Sequence, residues 1–193
     1  MKNLAGFQNL DKVLQDLKTK KRLRFDEICE LLFTFDFAEL NRVFPLSTIE
    51  VKDEEYVRIP IYNDEFVALL MVWGKDNCTA IHDHENYDGR IKVLKGSLTE
   101  VSYRENSNFI EYDSRAFATE GDIFPEDLGG IHSMINTHDG ISVTMHIYRT
   151  NKINLEGVRL FDTENRKIAW LSDQATSCSW NLPAEAYQKI EQI

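Results

Sequence analysis

Cysteine is scarce, cationic side chains are outnumbered, and no stretch of the chain stays apolar for long. Three cysteines occur in 193 residues, Cys29, Cys78 and Cys178, odd in number and far apart. That spacing argues against a disulfide framework or a cysteine-based zinc site and suits reduced thiols in a cytosolic protein. No apolar run approaches the roughly 20 residues of a membrane helix. The start, Met1-Lys2-Asn3-Leu4, lacks the apolar core and cleavage site of a secretory leader. Cytoplasmic localisation is therefore expected. The 22 Lys and Arg against 32 Asp and Glu leave a net charge of −10. An acidic chain repels phosphate backbones and anionic lipid, so neither nucleic acid nor a membrane is an expected partner.

What is present is an ordinary globular balance, 42% apolar and 28% charged, in a chain long enough for one domain with its own core. The expectation is a single domain over 1–193: a helical segment over 1–50, a β-barrel core over 55–150, and C-terminal strands or helix over 151–193. Leu10, Val13, Leu14 and Leu17 lie at i, i+3, i+4, i+7, one face of a helix. Phe25, Ile28, Cys29 and Leu32 repeat the pattern, and Phe37, Leu40 and Phe44 predict a third helix that Pro45 ends. These apolar faces are expected to pack on the rest of the domain.

From about residue 55 the period changes to two. Val57, Ile59 and Ile61 alternate with Tyr56, Arg58 and Pro60, and Phe66 to Trp73 is a continuous apolar run suited to a strand buried on both faces. Further strands fit near 78–84, 89–95, 97–104, 108–113, 116–119, 130–136 and 141–149, punctuated by Gly89, Gly96, Gly121, Gly129, Gly130 and Gly140. Many short strands with glycine turns predict a mainly β barrel or sandwich. The end, Asn181-Leu182-Pro183 followed by 184–193, predicts a C-terminal helix.

Of five histidines, three suit metal chemistry. Alternate residues on a strand share a face, so His82 and His84 of His82-Asp83-His84 can present two imidazoles to one ion, and His132 is a third candidate. Alone, the pair is equally compatible with two polar residues at a strand end. Arg58 alone reads as a surface ion-pair residue. Ser142, Thr144, His146 and Tyr148 share one face of the last strand, which a surface strand would also show. His138 is expected on a surface turn. Tyr87 and Arg90 flank the metal motif and could shape a pocket mouth, but are expected at ordinary barrel positions.

The histidine spacing resembles the two motifs of the cupin superfamily. His82-x-His84 is followed by four residues and Gly89, then six residues and Gly96, where the first motif has glutamate at the position of Gly89. Gly121, Asp127, Gly129, His132 and Asn136 fall on the second motif, with Asp127 in place of proline. Loss of that glutamate leaves three histidines without a carboxylate, which among cupins points to thiol dioxygenases. The sequence resembles the cysteine dioxygenase family from about Tyr56 to Tyr148. The resemblance is carried by Tyr56-Val57-Arg58, Trp73-Gly74, Ala80-Ile81-His82-Asp83-His84, Gly130-Ile131-His132 and Thr144-Met145-His146-Ile147-Tyr148.

The resemblance implies a cupin (double-stranded β-helix or jelly-roll) barrel with N-terminal α-helices packed on it. It implies an Fe(II) cofactor on His82, His84 and His132, with L-cysteine and O2 as partners and cysteine sulfinic acid as product. Arg58, with Tyr56 beside it, would bind the substrate carboxylate, and a planar guanidinium suits that pairing. Thr144, His146 and Tyr148 would form a hydroxyl–histidine–tyrosine relay. Animal members carry a cysteine at the position of Gly89 that cross-links to the tyrosine; bacterial members commonly have glycine, so Tyr148 is expected unmodified. Rival readings are a dioxygenase of another thiol, such as 3-mercaptopropionate, and a non-catalytic metal-binding cupin. A monomer or weak homo-oligomer is expected.

Overall fold

The computed structural model describes residues 10–19, 23–52, 55–84 and 87–193. Met1 to Leu4, read above as leaderless, and parts of the expected helical segment (1–9 and 20–22) lie outside these. The chain divides into a helical unit up to Thr48 and a β unit from Ile49. The helical unit holds α1 (Leu10–Thr19), α2 (Phe25–Leu32) and α3 (Phe37–Val43). The periodic residues are its buried ones: Leu10, Val13 and Leu17 on α1, Ile28, Cys29 and Leu32 on α2, Leu40 on α3. Helix α3 opens on a reciprocal cap. The Asp36 carboxylate accepts from the Glu39 amide at 2.8 Å, and the Glu39 side chain accepts from the Asp36 amide at 3.0 Å. No helix among the described residues is long and apolar enough to cross a membrane.

The β unit has twelve described strands in two antiparallel sheets. They are β1 (Tyr56–Asn63), β2 (Val67–Trp73), β3 (Ile81–Asp83), β4 (Gly89–Lys95), β5 (Ser97–Glu105), β6 (Ile110–Thr119), β7 (Ile123–Glu126), β8 (Ile131–Asn136), β9 (Ser142–Tyr148), β10 (Arg159–Asp162), β11 (Lys167–Leu171) and β12 (Tyr187–Gln192). One sheet runs β1-β2-β9-β4-β7 and the other β12-β11-β10-β3-β8-β5-β6. This is the mainly β cupin architecture that the motifs implied. Strands β2 and β9 are buried along their whole length, so the polar face of β9 turns inward and not to solvent. Non-adjacent pairings such as β3 with β8 and β2 with β9 are what a double-wound barrel requires, since its strands alternate between sheets.

Three sequence expectations are corrected. The two short strands expected over 108–113 and 116–119 are one continuous strand, β6, paired with β5 through a bulge at Ser102/Tyr103. Strand β7 was not expected: its Ile-Phe-Pro-Glu lacks a clear alternation, and it exists because it pairs with β4. The C-terminal helix is absent. After one turn of 3-10 helix (Ala184–Ala186) the chain extends into β12, paired with β11. Backbone pairing, with the Tyr187 hydroxyl donating to the Ser179 carbonyl at 3.0 Å, overrides the helical propensity of Ala184-Glu185-Ala186.

The short strand β3 is held on both sides. Its Asp83 is fully buried and accepts from the Arg159 backbone amide at 2.8 Å and from Arg159 Nε at 2.5 Å. A buried carboxylate is tolerated only while paired. Replacing Arg159 with Met is expected to destabilise the protein by about 3 kcal/mol, since Asp83 keeps only the backbone donor. Urea unfolding checks this; a loss under about 1 kcal/mol would show that the pair does not anchor β3.

Candidate metal centre

The pleat decides where the three histidines point. On β3 and just beyond it, His82 and His84 face one side and Asp83 the other. Strand β8 pairs with β3 so that His132 lies directly opposite His82. The rings of His82, His84 and His132 are consequently 4.8–5.2 Å apart, all buried, with their ligand nitrogens within 4.8 Å of one another.

Hydrogen bonds select which nitrogens face inward. His82 Nδ1 lies 2.9 Å from the Ala80 carbonyl, so it donates there and Nε2 is the nitrogen left to face an ion. His132 Nδ1 donates to Glu100 Oε1 at 2.6 Å, and its Nε2 is buried without a hydrogen-bond partner. A buried, unpartnered imidazole lone pair in a cluster of three is the donor set of a divalent transition metal, so the residues fit the metal that the fold family implies. Burial pushes the His84 imidazole well below its ordinary pKa, despite the opposing Glu126 carboxylate; a neutral ring is the form that binds metal. For His82, burial opposes the charge, but the Cys178 sulfur, the Ala80 carbonyl and Glu126 outweigh it, raising the pKa to about 9, so metal binding at this ring releases a proton.

Strand β9 supplies the relay, and its polarity can be derived. The Trp73 indole, a donor only, donates to Thr144 Oγ1 at 2.8 Å. The Thr144 oxygen is also 2.8 Å from His146 Nε2, and its own proton is free to be donated there. In that arrangement His146 carries its proton on Nδ1, which lies 2.8 Å from the Tyr148 hydroxyl oxygen. Tyr148 accepts that bond, and its own proton is left for the Glu126 carboxylate that its hydroxyl contacts at the cavity wall. Burial and the Glu126 charge raise the Tyr148 pKa well above its usual value, so it stays a neutral donor. Burial likewise lowers the pKa of His146.

One cavity of about 30 Å³ is lined by Tyr56, Arg58, the three clustered histidines, His146 and Tyr148, so the structure brings together every candidate except Thr144, which stands behind His146. Arg58 NH2 donates to the Ile153 carbonyl at 3.0 Å, leaving further guanidinium donors for an anion. The Tyr56 hydroxyl accepts from the Cys178 amide at 2.6 Å. Tyr56, Arg58 and Cys178 also line a larger cleft of about 740 Å³, so Arg58 borders both spaces.

Tyr87, expected at an ordinary barrel position with a pocket-mouth role as the alternative, lines the cavity, 4.9 Å from the His84 ring and 5.0 Å from Tyr148. Two residues of the site were not foreseen. Glu100 orients His132 from β5. Glu126 brings a buried carboxylate to the centre: its Oε1 is 3.3 Å from His84 Nδ1 and 3.4 Å from His132 Nε2, and its Oε2 is 4.0 Å from His146 Nδ1. The expectation that no carboxylate stands at the site is thereby overturned. The motif position of the lost glutamate is indeed Gly89, but register pairs Gly89 with Glu126 on one side and Tyr148 on the other. Burial acts to raise the Glu126 pKa, yet the imidazoles of His84, His146 and His132 hold it below the usual carboxylate range. Asp127, at the motif proline position, is exposed and accepts from the Gly130 amide at 2.9 Å in the turn before β8. His138 is exposed on a turn as expected, and Arg90 does not line the cavity.

The family model for cysteine dioxygenase type I matches residues 3–163. The chain belongs to the cysteine dioxygenase family. Cysteine dioxygenase type 1 of Homo sapiens is 25% identical over 91 residues, 45% of this chain and 46% of the relative, and that of Rattus norvegicus matches to the same extent. The chain thus spans about half the length of the curated relatives it matches. Among solved structures, a Klebsiella pneumoniae protein with a double-stranded beta-helix domain shares 15% identity over 61% of this chain and 93% of its own, at a TM-score of 0.44.

Gly89 shows how this member differs from the animal pattern of a cross-linking cysteine. A Cβ placed there would stand 2.6 Å from Tyr148 Cδ1 and 2.7 Å from the Ile147 carbonyl. Gly89→Ala is accordingly expected to cost about 1–3 kcal/mol through overpacking and to shift the Tyr148 ring; thermal denaturation and tyrosine near-UV circular dichroism check this. Glu100→Gln keeps the shape but removes the charge behind His132. Metal affinity is expected to fall about 10–100-fold, measured by chelator competition, and an unchanged affinity would deny Glu100 that role.

Proposed function

We propose that this protein is a cytoplasmic Fe(II)-dependent thiol dioxygenase that adds both atoms of O2 to the sulfur of L-cysteine, giving cysteine sulfinic acid. The observation that carries the reading is the one-way hydrogen-bond line from Trp73 through Thr144 and His146 to Tyr148, which ends at the three-histidine cluster. A site that only stored a metal would not need a fixed donor aimed across it.

His82, His84 and His132 would hold the metal as neutral imidazoles. Bound Fe(II) supplies redox activation of O2 and lowers the pKa of the thiol. Arg58, which borders both the outer cleft and the histidine cavity, takes the substrate carboxylate, which fixes the distance from carboxylate to sulfur. Tyr56, 5.0 Å from the Trp73 ring, walls both spaces. Tyr148 holds a proton at its hydroxyl oxygen and donates it as a hydrogen bond toward the reacting sulfur and oxygen atoms, with His146 fixing its direction. The cavity around the histidines has room for only one or two small groups, so bulk water is kept out and the thiol end alone reaches the metal. The stoichiometry closes without a further reductant: one thiol and one O2 give one sulfinic acid.

Arg58 favours a substrate with a carboxylate close to the thiol, which both L-cysteine and 3-mercaptopropionate satisfy; the test separates them. O2 uptake by Fe(II)-loaded protein is expected with L-cysteine, with a product heavier by two oxygen atoms. His132→Ala should abolish iron loading and turnover. Arg58→Ala should lower kcat/KM about 30-fold or more, the cost of removing one partner of a desolvated charge pair. Uptake only with 3-mercaptopropionate would change the substrate, and none with any thiol in fully iron-loaded protein would leave a metal-binding cupin without this activity.

A further inference from the structure

The Glu126 carboxylate is out of place for a site of three histidines alone. Its side chain is only 4% exposed, and its Oε2 has no hydrogen-bond partner. It arrives on β7, the edge strand of the other sheet, paired with Gly89 of β4. Its Oε1 lies 3.3 and 3.4 Å from nitrogens of His84 and His132. Two donors at adjacent positions on one ion, each about 2.1 Å from it, stand about 3 Å apart. The carboxylate is therefore at ligand spacing from two of the three histidines, while the His132 nitrogen it faces is itself unpartnered.

From these distances we propose that Glu126 is a fourth protein ligand to the metal held by His82, His84 and His132 when substrate is absent. The inference rests on the metal-binding part of the proposed function, and it changes how many positions substrate and O2 have to share. An octahedral ion with four protein ligands offers two adjacent positions, not three. A thiol bound through sulfur alone fits there together with O2, whereas a sulfur–nitrogen chelate must first displace Glu126. A carboxylate that leaves the ion keeps one partner within reach, the Tyr148 hydroxyl that already contacts it.

The test is metal binding, not turnover. Anaerobic titration of the wild type, Glu126→Gln, Glu126→Ala and His132→Ala with Co(II) and with Fe(II), in competition with a chromogenic chelator, gives the affinities. A crystal structure of the Co(II)-loaded wild type gives the ligands. Both Glu126 variants are expected to bind at least about tenfold more weakly, as the loss of a ligand should cost no less than the loss of a supporting group. The loaded structure is expected to show a Glu126 oxygen bonded to the ion. Glu126→Gln is isosteric and decides the affinity arm if the Ala variant does not fold. Affinity within about twofold of wild type in Glu126→Gln, alongside lost binding in His132→Ala, would overturn this inference and leave the three-histidine reading intact. A wild type that takes up neither metal would overturn both.

Discussion

The site depends first on a buried ion pair that takes no part in it. Asp83 stands between His82 and His84 in sequence, and the pleat of β3 sends it to the opposite face. There it is fully buried and held by the backbone and side chain of Arg159 on β10. A strand of three residues has little pairing of its own to fix its rotation about its axis. Because the carboxylate cannot lose Arg159 without a large desolvation cost, the two histidines cannot turn away from the centre. Strand β8, pairing on the other side, then sets His132 opposite His82. Three ligands are positioned by one ion pair and one register.

The second constraint is the absent side chain at Gly89. Strands β9, β4 and β7 lie side by side, with Tyr148, Gly89 and Glu126 in one row across them. Tyr148 lies directly over the glycine, where even a Cβ would be too close, and Glu126 reaches the histidines. The position that in animal relatives would chain the tyrosine to a cysteine here brings a tyrosine and a carboxylate together.

Much of this was legible in the chain. The alternation of β1 and β9, the apolar run of β2 and the spacing of His82, His84 and His132 follow from local period and motif, and the structure places the residues they singled out around one cavity. What escaped depends on register over long separations. Glu126 sits in a four-residue strand containing proline, with no alternation to mark it, and only the β4 pairing carries it inward. Glu100 is an ordinary charged residue on β5 until β8 sets His132 within 2.6 Å of it. Tyr87 and Cys178 likewise join the site through tertiary packing. The C-terminal strand was hidden by residues that favour a helix when isolated, and it forms because β11 offers it an edge.

The same geometry bears on why the centre should hold a cation. His132 Nε2 and Glu126 Oε2 are both buried without hydrogen-bond partners, and each such group costs about 1–3 kcal/mol of desolvation. One proton between His132 Nε2 and Glu126 would satisfy that nitrogen, but it would charge a ring whose Nδ1 proton is already committed to Glu100. A divalent cation satisfies His132, His82 and the carboxylate at once without adding a proton to any of them. It also leaves the relay untouched, because the Trp73, Thr144 and His146 bonds use no atom that faces the metal.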